Sequence, residues 1–152
     1  MNLRFEVFAH VSRPPADVYE AVADPAKLSA YFATGGAQGR LETGGTVTWD
    51  FHDFPGAFPV EVVEAVPGER IVLKWGRNEG GKPTGKHNTV TFVFAPVDGG
   101  KRTKVTVSEG GWSETQAGLE ASYGNCMGWA QMLAALKLWV ERGINLREGM
   151  YK

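Results

Sequence analysis

The chain changes its period once, and that change limits what it can fold into. Between Thr34 and Gly110, short runs alternate apolar and polar residues: Val47, Trp49 and Phe51; Ile71, Leu73 and Trp75; Val90, Phe92 and Phe94; Thr103, Val105 and Val107. Period two is the signature of strands with one buried face. After Gly110 the period becomes helical. Trp129, Met132, Leu133, Leu136 and Val140 fall at i, i+3, i+4, i+7 and i+11, on one face of a single helix. A long antiparallel sheet needs its apolar face covered, and only this C-terminal helix is long enough to cover it.

The remaining elements follow from local signals. Leu3, Phe5, Val7, Ala9 and Val11 alternate as a first strand, closed by Ser12-Arg13-Pro14-Pro15. Pro15 suits a first helical turn and Asp17 favours the helix dipole. Asp24 as N-cap with Pro25 after it starts a second short helix, predicted to run to about Phe32. Phe58–Val66 reads as a strand whose alternation fails at Val62-Val63, the mark of a bulge. Pro67-Gly68 and Asp98-Gly99-Gly100 read as turns, and Asn78–Lys86 as a polar loop. Ser113 with Gln116 fits a capping box for the last helix. Gly118, Gly124 and Gly128 weaken its first part and predict a kink near Gly124; Gly143 is placed to end it.

The predicted fold class is α+β. A curved antiparallel sheet of six to seven strands wraps a long C-terminal helix, with two short helices after the first strand. With 152 residues, one domain spanning 1–152 is expected. The inward side chains are bulky. Large aromatics on a curved sheet facing one helix seldom fill the space, so a cavity open at one end is expected; a fully packed core is the competing outcome. The residues expected to wall that cavity are Trp49, Phe51, Phe58, Trp75, Phe92, Trp112, Trp129, Met132, Leu133 and Leu136. Trp112, after Gly110-Gly111, suits core packing and a gate over the cavity equally well.

Charge and composition remove other classes. Lys plus Arg number 16 against 17 Asp plus Glu. Nucleic acid and anionic membranes, which select basic chains, are therefore not expected partners. No apolar run reaches the roughly 18 residues of a membrane span, and no signal peptide is visible. The single cysteine, Cys126, forms no internal disulfide; it reads as a buried small hydrophobe, and a reducing cytoplasm is the expected compartment.

His10, His52 and His87 show no metal-ligand spacing, so no metal and no cofactor is expected. Asp50, His52 and Asp53 lie close together, but Asp50 and His52 sit on the strand face opposite Trp49 and Phe51, toward solvent. His52 and His87 are the polar groups placed to orient a ligand at a cavity mouth. The glycines at 35–36, 39 and 44–45 lack the Gly-Lys-Ser/Thr ending and following helix of a phosphate cradle. Ser113 is in no nucleophile elbow. No catalytic residue is assigned.

The order of elements resembles the helix-grip, or START-like (SRPBCC), superfamily, and within it the branch of activators of heat-shock-protein-90 ATPase. Pro14-Pro15-Ala16-Asp17-Val18-Tyr19-Glu20-Ala21 is similar to the branch's first helix, and Asp24-Pro25 with Tyr31-Phe32 to its second. Val63-Glu64, Pro67-Gly68-Glu69-Arg70-Ile71 and Lys74-Trp75 resemble its central hairpin. Gly128-Trp129, Met132-Leu133 and Leu136 resemble its C-terminal helix. The resemblance implies a hydrophobic pocket between sheet and helix and binding of a small apolar or amphipathic molecule. A polyketide cyclase- or dehydratase-like enzyme and a chaperone-interacting module are the alternatives. A homodimer is compatible with it. Chaperone engagement is not expected, because the eukaryotic relative uses an additional N-terminal domain and this chain starts at the first strand.

Overall fold

The computed structural model describes all residues from Met1 to Lys152. Seven strands form one antiparallel sheet: β1 (Arg4–Val11), β2 (Gly36–Gln38), β3 (Thr46–Phe51), β4 (Phe54–Val66), β5 (Arg70–Glu79), β6 (Lys82–Val97) and β7 (Arg102–Gly110). Their spatial order is β1-β7-β6-β5-β4-β3-β2. Three helices complete the chain: α1 (Pro15–Ala23), α2 (Pro25–Ser29) and α3 (Gln116–Arg142). Strands β2 to β7 form the meander that the alternation predicts, and β1 returns to pair with β7. The sheet grips α3, which lies along β1 and also meets β5 and β7. This is the α+β helix-grip architecture.

The bulge falls where the alternation fails. The β4–β5 register shifts between Val62 and Glu64, so Val62 is 2% exposed and Val63 47%. One extra residue thus keeps Val60 and Val62 inward without flipping the rest of the strand outward.

Four local expectations are corrected. The segment 78–86 is not a loop: β5 and β6 extend through it as a hairpin, with Gly80 and Gly81 at the turn. Both have positive φ (60° and 74°), a conformation suited to glycine. Helix α2 ends at Ser29, before Phe32. The N-cap of α3 is Thr115, whose hydroxyl accepts from the Gly118 N–H, and not Ser113. Ser113 donates its hydroxyl to Glu79 instead. Helix α3 runs its 27 residues without a break at Gly124 and ends at Gly143, φ 69°. Glycine costs helix stability, but the sheet packed along α3 keeps it continuous. At Gly118 a Cβ would stand 2.0 Å from the Ser113 carbonyl oxygen, so only glycine fits there.

The core is continuous from α1 and α2 to the C-terminal half of α3. Tyr19 packs edge-on against Phe94, and Tyr31 stacks on Trp139. The Tyr31 hydroxyl donates to the Ala21 carbonyl at 2.9 Å, which satisfies a phenol that is 0% exposed. Burial holds the Tyr31 hydroxyl well above its ordinary pKa of 10.0.

Candidate functional site

At the other end of α3 the space between sheet and helix is not filled. A cavity of about 890 Å³ opens there, lined from β3, β4, β5, β6, the N-terminal half of α3 and the residues after α3. Of the ten residues expected on its wall, six line it: Phe51, Phe58, Trp75, Trp112, Trp129 and Met132. The other four do not. Trp49, Phe92, Leu133 and Leu136 are 0–2% exposed and belong to the solid core behind the wall. Their side chains share the inward face with the wall residues, and period alone cannot tell wall from core. Trp112 is both core and rim: it is 5% exposed, stacks on Phe5 at 5.5 Å, and borders the cavity.

The wall residues form one connected aromatic surface. Trp75 and Trp129 have ring centroids 5.3 Å apart, Phe58 and Trp75 6.0 Å, and Phe51 and Phe58 5.8 Å. Phe32, just after α2, stacks on Trp129 at 5.5 Å and also lines the cavity. On α3, Gly124 and Gly128 face the space; a Cβ at either position would meet nothing within 4 Å. Small residues on this half of the helix leave the volume open.

Behind the wall lies a group that the sequence analysis missed. Glu109, near the end of β7, is 1% exposed. It accepts from Trp75 Nε1 at 2.9 Å, Trp129 Nε1 at 2.8 Å, Asn88 Nδ2 at 3.1 Å and Asn125 Nδ2 at 3.1 Å. All four partners are neutral N–H donors, and all four line the cavity. The carboxylate therefore fixes two indoles and two amides from β5, β6 and α3 at one point. Both indole N–H groups are spent on it, so the rings offer carbon to the cavity.

A signal for Glu109 was present. It continues the inward set Thr103, Val105 and Val107 by one more step of two. Asn88 extends Val90, Phe92 and Phe94 in the same way, and Asn125 precedes Trp129 by one helical turn. Polar residues at inward parity mark buried polar groups that need partners.

The mouth is closed on one side by the residues after α3. Arg147 forms a two-pronged ion pair with Asp53, Nη1 to Oδ2 at 2.7 Å and Nη2 to Oδ1 at 3.0 Å, and both side chains are almost fully buried. The guanidinium also lies 5.2 Å from the Phe51 ring centre and 4.6 Å from that of Tyr151. Asp53 thus turns inward at the β3–β4 hairpin, while its neighbours do not join it in a site. His52 is exposed and its Nδ1 pairs with the Thr34 hydroxyl; Asp50 accepts from the Gly56 N–H. His87 is exposed on β6 and borders the cavity; His52 does not border it. Cys126 is half-buried, more open than a core position would be. No three His, Cys, Asp or Glu side chains come together in a metal-holding group. No helix is long and apolar enough to cross a membrane.

The family described as Activator of Hsp90 ATPase homolog 1-like protein matches residues 12–141. No curated protein matches the chain. Among solved structures, protein SSP2350 from Staphylococcus saprophyticus is similar with a TM-score of 0.77 at 23% identity, over 95% of this chain and 96% of that one. DynU16, of the dynemicin biosynthetic locus, is similar with a TM-score of 0.78 at 23% identity, over 95% of this chain and 49% of its own. The Aha1 dimer from Colwellia psychrerythraea is similar with a TM-score of 0.73 at 20% identity, over 93% and 98% of the two chains. At these identities the likeness is one of fold.

Proposed function

Since the chain belongs to the Activator of Hsp90 ATPase homolog 1-like family, we propose that it is one START-like domain over residues 1–152 that binds a small apolar or amphipathic molecule between sheet and helix. One observation carries the reading. The cavity of about 890 Å³ has a continuous aromatic wall in which the indole N–H groups of Trp75 and Trp129 are turned away into Glu109. Ligand pockets are commonly about 300–1,000 Å³, mostly apolar, with a few placed polar groups. Here Phe51, Phe58, Trp75, Trp129 and Met132 supply the apolar surface, and burial against it contributes about 25 cal/mol per Å². Arg77, Asn125 and His87 are polar groups on the same wall.

Binding proceeds by desolvation of the ligand against a wall that is already ordered. The hydrogen bonds to Glu109 hold Trp75 and Trp129 before a ligand arrives, so little side-chain freedom is lost on binding. The test uses a neutral fluorescent dye, Nile red, with the purified full chain, together with native mass spectrometry for a co-purifying small molecule. The expected result is saturable dye binding with a blue shift and quenching of tryptophan emission. Gly128→Leu, which directs a side chain into the open space, is expected to weaken dye binding about tenfold or more while the protein stays folded; tenfold corresponds to about 1.4 kcal/mol. No dye binding and no bound mass in the native protein would overturn the reading.

A further inference from the structure

The wall of the cavity contains a partly buried cation whose terminal N–H groups are loosely held. The Arg77 side chain is 10% exposed and borders the cavity. Its Nε donates to Asn88 Oδ1 at 2.9 Å, and Asn88 in turn donates to Glu109, so the base of the guanidinium is pinned to the buried network. The far end is different. Nη2 reaches the His87 carbonyl only at 3.5 Å, and Nη1 stands 4.0 Å from Glu79 Oε1. Glu79 is itself engaged by the Ser113 hydroxyl at 2.7 Å and the Ser113 N–H at 3.2 Å. A guanidinium has five N–H donors in a planar fork; one of Arg77's makes a short contact.

The backbone makes room for this arrangement. Gly111, at φ 122°, passes so close that a Cβ would lie 2.7 Å from Asn88 Oδ1 and 3.4 Å from Arg77 Nη2. The other charges on the wall are balanced differently. Arg147 is committed to Asp53, and exposed Lys74 and Glu61 are opposite each other in the β4–β5 register. Glu79 receives hydrogen bonds from Ser113, and Glu109 receives them from two indoles and two amides.

We propose that the cavity selects an amphipathic carboxylic acid, with the hydrocarbon body against Trp75, Trp129, Phe51 and Phe58 and the carboxylate on the Nη groups of Arg77. The assignment rests on the cavity-binding reading above and names its ligand class. A carboxylate matches the planar fork with two parallel N–H···O bonds, whereas an amine would face the guanidinium as a like charge.

The test measures displacement of Nile red by two matched pairs: dodecanoate with its methyl ester, and 2-naphthoate with its methyl ester. The expected result is an acid affinity about tenfold or more above that of the ester in at least one pair, the scale of charged hydrogen bonds. Arg77→Met is expected to lower the acid-to-ester affinity ratio about tenfold, to near one. Arg77→Lys, which keeps charge without the fork, is expected to fall between them. If the dye and the esters bind and the acids gain nothing over them in the native chain, the Arg77 assignment fails and the cavity reading survives. If the dye does not bind at all, both fail. The comparison in the native protein needs no variant to fold.

Discussion

The two ends of α3 cover the same sheet with opposite results. Toward its C-terminus, Leu133, Ala135, Leu136 and Trp139 meet α1, α2 and the inner face of the sheet in a solid core. Toward its N-terminus, Gly124, Asn125 and Gly128 face Trp75, Phe51 and Phe58 across open space. Aromatic residues are plentiful at both ends, so their number does not decide which end packs. The volume on the helix side does, together with the wedge: Tyr19 from α1, Leu28 from α2 and Tyr31 just after α2 fill the first end, and from this segment Phe32 alone reaches the second. The cavity is produced by small residues on one half of a helix.

The contrast can be broken most strongly at the packed end. Leu136 is 0% exposed, and Leu136→Ala should cost about 2–5 kcal/mol, because a tightly packed site relaxes poorly around the hole. Half-buried Phe58, already beside a void, should cost less than Leu136 when cut to alanine. Denaturant unfolding of the two variants checks the ordering; equal losses would mean that the ends are packed alike.

Next in size is the carboxylate that keeps the open end rigid. Glu109→Gln puts an amide where donors converge and leaves at least one buried N–H group unpaired. The expected loss is about 1–3 kcal/mol, with altered tryptophan emission from Trp75 and Trp129. Unchanged stability and emission would show that the wall holds itself without Glu109.

The smallest effect returns to the packed end. Tyr31→Phe removes one hydrogen bond, at about 1 kcal/mol near neutral pH. It should also change the alkaline limb. Burial raises the folded-state pKa of Tyr31 above 10.0, so its contribution is complete below pH 10 and declines as pH rises further, when the unfolded chain ionises first. Stability measured from pH 8 to 11 should fall less steeply in the phenylalanine variant than in the native chain.

Much of this contrast was written in the periodicities, and part was not. Alternation located the strands, and the failed alternation at Val62-Val63 located the bulge. The stripe from Trp129 to Val140 located the helix that the sheet grips. Whether Phe92 or Trp75 reaches the cavity depends on the distance from sheet to helix along α3, which period does not contain. Glu109 and Asn88 were legible as polar residues at inward parity, and Arg77 continues the step of two from Ile71, Leu73 and Trp75. The Asp53–Arg147 pair was not legible: 94 residues separate its members, and neither has a local partner that announces the other. The polar stretch 78–86 misled because two edges of a long exposed hairpin carry the same residues as a loop.

That distant pair makes the last residues structural. Arg147→Met, which keeps the cover but removes the cation, would leave the buried Asp53 carboxylate unmatched, a loss that typically costs about 3–5 kcal/mol, and cutting the chain ahead of Arg147 would remove both the cation and the cover. A segment that looks like a dispensable appendage therefore acts as a keystone for the β3–β4 hairpin, and shortened versions of this protein should lose the shape of the entrance before they lose the sheet.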